Sequence, residues 1–71
     1  MQELIIGIDP GTATTGFGVL DVTSGLPKLI EYGCISTPKN LQMPDRLLML
    51  SMGLDDLFGK YMPQAVVIEN L

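Results

Sequence analysis

The segment Leu4-Ile5-Ile6-Gly7-Ile8-Asp9-Pro10-Gly11-Thr12 opens the fold with an apolar run that stops at a carboxylate and a turn. A continuous apolar run bounded in this way predicts a strand over residues 3–9 that is buried on both faces. Near the other end of the sequence, Val66-Val67-Ile68-Glu69 repeats the pattern of apolar residues closed by an acid. The sequence therefore predicts two strands that each end in a carboxylate.

The residues after this first run predict a hairpin of two further strands. Residues 15–22 and 29–37 have the composition of strands, and Thr23-Ser24-Gly25 between them is a turn signal. Pro27 lacks a backbone N–H, which favours an edge position for the third strand.

The middle of the chain predicts one helix. We expect it to begin near Pro44, because proline suits a first helical turn, and to end before Pro63. Gly53 and Gly59 should weaken it by about 1 kcal/mol each relative to alanine. Residues 64–69 are predicted to form the last strand. The apolar stripe of the helix consists of Leu47, Leu50, Leu54, Leu57, Phe58 and Tyr61.

The order of elements predicts an α/β fold. Three strands would form an antiparallel meander, and the helix would cross over to a fourth strand. Such crossovers are right-handed in ~98% of cases, which would place the fourth strand beside the first and parallel to it. Asp9 and Glu69 would then lie at the carboxyl ends of neighbouring strands, the edge at which open α/β sheets bind ligands.

Two carboxylates on adjacent strands need a reason to be close. At a separation of ~5 Å and an effective dielectric constant near 20, they repel by roughly 3 kcal/mol. Protonation of one group or a bound divalent cation relieves that repulsion, and Mg²⁺ suits oxygen ligands. Taken singly, Asp9 is also compatible with ordinary turn chemistry, and Glu69 with a strand end that reaches solvent. Residues 11–16 are small and hydroxyl-rich, which suits either a phosphate or a tight hairpin.

Composition limits the classes of function. The net charge is −4, from four basic and eight acidic residues, which on charge alone argues against tight binding of DNA. Hydrophobic residues make up 46% of the chain, whereas one helix covers one face of the sheet, so we expect self-association through exposed apolar surface or unpaired strand edges. Leu48, Met49 and Met52 lie off the helical stripe and could contribute.

The single cysteine and the absence of a long apolar run bear on location. Cys34 lies in a strand-like run, so we expect its side chain to be buried as a small hydrophobic group. A single cysteine also fits a reducing compartment, which we expect to be the cytoplasm. No apolar run approaches the ~18–20 residues of a membrane span, and the residues around Glu3 do not resemble a signal peptide.

A succession of short motifs resembles one known family. The chain contains Gly-Ile-Asp-Pro-Gly at 7–11, Thr-Gly-Phe-Gly-Val at 15–19, Gly-Cys-Ile-Ser-Thr-Pro at 33–38, Met-Pro-Asp-Arg-Leu at 43–47 and Ala-Val-Val-Ile-Glu at 65–69. In this order and spacing they are similar to the N-terminal half-domain of the RuvC family, the bacterial Holliday junction resolvases with an RNase H-like fold. The resemblance covers essentially the whole chain. It implies that residues 1–71 are a truncated RNase H-like nuclease domain.

The resemblance also implies an activity. Members of the family are homodimeric, Mg²⁺-dependent endonucleases that nick four-way junction DNA symmetrically in recombination and repair, leaving 5′-phosphate ends. Two ions occupy a complete site, and Mn²⁺ can substitute. Asp9 matches the aspartate that bridges the ions, and Glu69 matches a glutamate that ligates one of them. The two remaining aspartates, the basic DNA-binding surface and the dimer interface of the family match no residue here, so we expect the 71-residue chain alone to be inactive. A branch-migration helicase complex is the implied partner.

Two other readings belong to different classes. Asp9-Pro10-Gly11-Thr12 also resembles the phosphate-binding hairpin of actin/Hsp70-type ATPases, which would require a second phosphate loop and an adenosine motif. The chain could instead be a non-catalytic module that assembles through its exposed apolar surface.

Overall fold

Across residues 2–11 and 13–69, which are the residues that the computed structural model describes, the chain forms a four-stranded sheet and a 19-residue helix. The predicted bounds of the elements differ from the observed ones by one residue at several ends. In chain order the elements are β1 (Leu4–Asp9), β2 (Thr14–Asp21), β3 (Lys28–Ser36), α1 (Met43–Tyr61) and β4 (Ala65–Ile68).

The sheet has the strand order β3-β2-β1-β4. The pairs β1–β2 and β2–β3 are antiparallel, and β1–β4 is parallel, so the predicted meander and the predicted edge position of β3 are confirmed. At the start of β4, Gln64 fixes the alignment with β1, because its backbone N–H donates to the Leu4 carbonyl (3.0 Å) and its side-chain oxygen accepts from the Leu4 N–H (2.6 Å).

The core lies between α1 and one face of the sheet. Along β1 the exposure alternates, with Leu4, Ile6 and Ile8 buried and Ile5 half-exposed. The prediction that this strand is buried on both faces is therefore wrong, because α1 covers one face and leaves the other open. The core cluster consists of Ile6, Ile8, Val19 and Leu57, with Phe17, Leu54, Phe58 and Tyr61 packed against it.

Two other predictions of burial also fail. Leu47 belongs to the predicted apolar stripe, yet 56% of its surface is exposed near the start of α1. Cys34 is exposed because it lies on the edge strand β3 and pairs with Gly16, on the face of the sheet that α1 does not cover. The exposed apolar surface of α1 also includes Leu48, Met49 and Met52.

Gly53 allows α1 to approach β3 closely. A Cβ atom at this position would lie 2.9 Å from Cγ2 of Ile35, closer than side chains tolerate. Gly59, six residues later in the same helix, has no atom within 4 Å of the corresponding position. The two glycines that weaken the helix equally by propensity therefore differ in their tertiary role.

A backbone hydrogen bond caps the C-terminal end of α1. Met62 adopts a left-handed conformation with φ of 47°, and its N–H donates to the Phe58 carbonyl over 2.7 Å. In the described part of the chain, no helix has both the length and the apolar character required to cross a membrane.

A polar cluster joins the end of α1 to β3. The Tyr61 hydroxyl and the Lys60 ammonium both donate to Glu31 Oε1, the latter over 3.1 Å. The pKa of Glu31 lies below its ordinary value. The hydrogen bond from Tyr61 is the main cause, and the hydrogen bond from Lys60 is the second. The same contact with Glu31 raises the pKa of Lys60.

This cluster predicts a loss of stability in acid. A carboxyl group whose pKa is lower in the folded than in the unfolded chain stabilises the fold above the unfolded-state pKa, and the contribution is lost as the pH falls through the folded-state pKa. Glutamine does not titrate, so in Glu31→Gln the free energy of unfolding should fall less steeply as the pH drops through this range. Denaturant titrations at several pH values will measure it, with Asp55→Asn on the exposed side of α1 as the control. An equal acid dependence in all three chains would contradict the expectation.

Candidate functional site

Asp9 and Glu69 lie at the same edge of the sheet. Asp9 is the last residue of β1, and Glu69 directly follows β4. Ile8 and Ile68 are paired, and the Glu69 N–H donates to the Ile8 carbonyl over 3.0 Å, so the parallel ladder continues up to the second carboxylate. Both acidic residues are exposed and line one pocket of about 480 Å³. The predicted adjacency is present, whereas neither carboxylate is enclosed by protein.

Glycines keep the face of the sheet beside Asp9 open. Gly16 is the partner of Asp9 in the β1–β2 ladder, and Gly7 pairs with Gly18 two residues further on. A Cβ atom at Gly16 would touch Cβ of Asp9 at 3.7 Å. Because these positions carry no side chains, a ligand can approach Asp9 across the sheet. Apolar residues that line the same pocket include Ile5, Leu20 and Val67.

The segment after Asp9 is held by the side chain of one residue in β2 and by a backbone hydrogen bond from the end of β3. Thr15, buried in β2, donates its hydroxyl to the Gly11 carbonyl (2.9 Å) and accepts from the Gly11 N–H (3.3 Å). The N–H of Thr37, just after β3, donates to the Ala13 carbonyl over 3.0 Å. One of the threonines considered for phosphate binding therefore holds the loop instead, whereas Thr12 lies outside the described residues.

Arg46 connects α1 to this same region. Its Nε donates to the Thr37 hydroxyl over 3.1 Å, and the residue lines a second pocket, of about 300 Å³, together with Pro10 and Gly11. In the sequence, Arg46 stands out only as part of the motif Met-Pro-Asp-Arg-Leu at 43–47. Its position in the sequence does not predict the hydrogen bond to Thr37. Asp9 thus precedes a loop that hydrogen bonds tie to β2 and to the end of β3, with Arg46 of α1 across a pocket from it.

The donor set suits a hard cation but is small. Asp9 and Glu69 offer carboxylate oxygens, which Mg²⁺ accepts along with water and phosphate oxygens. Within residues 2–11 and 13–69, no group of three or more His, Cys, Asp or Glu side chains is arranged to hold a metal ion. The two carboxylates are compatible with a divalent cation and would be only part of its ligand set.

The sheet order, the crossover helix and the parallel fourth strand define the N-terminal half of an RNase H-like fold. Thermus thermophilus RuvC, solved in complex with a Holliday junction substrate, has this arrangement with a TM-score of 0.84 and 22% identity, over 97% of this chain and 43% of that one. A Ppx/GppA family member from Aquifex aeolicus shares the fold with a TM-score of 0.72 and 13% identity, over 96% of this chain and 26% of that one.

The particular family follows from the sequence. The model of crossover junction endodeoxyribonuclease RuvC matches residues 5–71, and the chain belongs to this family. It is 46% identical over 67 residues to the crossover junction endodeoxyribonuclease RuvC of Syntrophomonas wolfei, covering 94% of this chain and 39% of the relative. It is 41% identical over 70 residues to that of Rubrobacter xylanophilus, covering 99% and 39%. The chain thus spans about two fifths of these relatives' length, and the match favours the resolvase reading over the ATPase hairpin.

Proposed function

We propose that this chain supplies two metal-binding carboxylates to a Mg²⁺-dependent endonuclease that resolves four-way DNA junctions. The observation that carries the proposal is the position of Asp9 and Glu69 at neighbouring strand ends, in a family whose relatives are named crossover junction endodeoxyribonucleases. A solved relative is described in complex with a Holliday junction substrate, which supports junction DNA as the partner.

Asp9 and Glu69 are the residues that would hold Mg²⁺, or Mn²⁺ in its place, with two ions in a complete site. When bound, such ions activate a water and stabilise the leaving oxygen of a phosphodiester, which would yield 5′-phosphate ends. The loop that follows Asp9 is anchored by hydrogen bonds at Gly11 and Ala13, and the glycines beside Asp9 leave space for a DNA strand.

The assembly and location remain part of the proposal. We infer that residues 1–71 belong to an RNase H-like nuclease domain, that the active protein is a homodimer, and that it works in the cytoplasm with a branch-migration helicase complex. The exposed apolar residues of α1 and the unpaired edge of β4 support self-association of the 71-residue chain.

Cleavage of a labelled four-way junction in Mg²⁺ tests the proposal. The 71-residue chain alone should not nick the junction, because two carboxylates leave a two-ion site incomplete. A chimera in which residues 1–71 replace the matching segment of the Syntrophomonas wolfei protein should nick two like strands symmetrically.

Two outcomes would contradict it. A chimera that binds the junction and melts cooperatively, yet makes no nicks, would overturn the assigned function. Nicking by the 71-residue chain that disappears in Asp9→Asn would show that the expected inactivity is wrong.

A further inference from the structure

The four basic residues of the chain are divided between the two ends of the sheet. Because β1 and β3 both run antiparallel to β2, the end of β3 lies at the same edge as Asp9, which we call the Asp9 edge. Lys39 follows β3 in the turn that leads to α1, and Arg46 lies in the first turn of α1, so both belong to this edge. Lys28 begins β3 and Lys60 lies in the last turn of α1, so both lie toward the opposite end.

The cations at the two ends have different partners. Lys60 forms an ion pair with Glu31 over 3.1 Å. Arg46 instead donates its Nε to a neutral hydroxyl, that of Thr37, and lines the pocket beside Pro10. The other N–H groups of a guanidinium are well suited to phosphate oxygens, which they bind in a forked geometry. Arg46 is thus held in place next to the segment that follows Asp9.

The charge of the Asp9 edge depends on its carboxylates. Asp9 and Glu69 are the residues proposed to hold a divalent cation, which would offset both negative charges. Between the end of β3 and the first turn of α1, the charged residues are then Lys39, Asp45 and Arg46. The edge becomes net positive in a chain whose overall charge is −4.

We propose that Lys39 and Arg46 contact backbone phosphates of a DNA strand that lies across the Asp9 edge. This rests on the proposed function, because it takes DNA as the substrate. Arg46 is the oriented contact and Lys39, exposed in its turn, is a mobile point charge. Phosphate contacts of this kind position a strand without reading its sequence. The chain therefore contributes to DNA binding despite its acidic balance.

Salt-dependent binding tests the two contacts separately from cleavage. The 71-residue chain, in constant Mg²⁺, is titrated by NMR with four-way junction DNA at a series of salt concentrations. Each lost phosphate contact lowers the slope of log affinity against log salt by about 0.9. Lys39→Gln and Arg46→Gln should each show this loss, whereas Lys28→Gln and Lys60→Gln, which remove the same charge at the opposite end, should not.

Arg46→Lys separates phosphate binding from the hydrogen bond to Thr37. It keeps the positive charge, so it should retain the slope that Arg46→Gln loses. Equal slopes in all four glutamine variants would overturn the proposal, as would the failure of the unsubstituted chain to bind at the lowest salt. If Arg46→Lys behaves like Arg46→Gln, Arg46 has a structural role only and its part of the proposal fails. Asp9-dependent nicking by the chimera would survive any of these results, so the proposed function is judged separately.

Discussion

Asp9→Asn in the chimera should reduce the rate of junction nicking by more than about 100-fold. Loss of a residue that merely supports a metal ligand costs about 10- to 100-fold, and loss of a ligand should cost more. Asparagine retains the shape of the side chain but offers one neutral oxygen in place of a charged carboxylate. Single-turnover cleavage of a labelled junction, with the chimera in excess, measures the rate without a contribution from product release.

The control for this substitution is already present in the chain. Asp55 is an exposed acid on α1, and Asp55→Asn removes the same charge away from the Asp9 edge. It should leave the nicking rate within about a factor of two, because surface changes away from a site have small effects. Since the Asp9 side chain is itself exposed, both variants should melt like the unsubstituted chimera. Nicking by Asp9→Asn at the rate of Asp55→Asn would rule out Asp9 as a ligand.

Gly53→Ala should destabilise the 71-residue chain, although alanine favours a helix by about 1 kcal/mol. The new Cβ would lie 2.9 Å from Cγ2 of Ile35. Ile35 is β-branched, so it has few rotamers with which to move away. Overpacking of this kind costs about 1–3 kcal/mol, and the net effect should be a loss of stability.

Gly59→Ala is the matched comparison within the same helix. Its Cβ meets no atom within 4 Å, so the gain in helix propensity of about 1 kcal/mol should appear as added stability. Urea denaturation of the two variants measures the difference, which should have opposite signs relative to the unsubstituted chain. If both variants are stabilised alike, α1 and β3 are not in the close contact described here.

The sequence was sufficient for the order of the elements and for their connections. Apolar runs, the turn at residues 23–25 and proline positions report local preferences, which act within a few residues. The parallel pairing of β4 with β1 then followed from the constraint that chain connections place on sheets. The adjacency of Asp9 and Glu69 was predictable for the same reason, since each lies at the end of a strand whose neighbour was already defined.

Burial could not be predicted in the same way. An apolar run does not show how many of its faces are covered, so β1 was expected to be enclosed on both sides and Cys34 to be buried. Both expectations failed because α1 packs on one face of the sheet. The same limit explains Leu47, which follows the helical stripe yet is exposed near the start of α1.

By itself, the sequence determined the family, the strand order and the pair of carboxylates, Asp9 and Glu69. Only the tertiary structure decided what surrounds them: the glycines of the open face, the hydroxyl of Thr15 on the loop, and Arg46 beside it. The tertiary structure also showed that two of the four basic residues lie at the Asp9 edge and two at the opposite end of the sheet. The net charge alone does not reveal this distribution. The physical reason is that side-chain contacts join residues far apart in the chain, and their partners are set by packing rather than by local sequence.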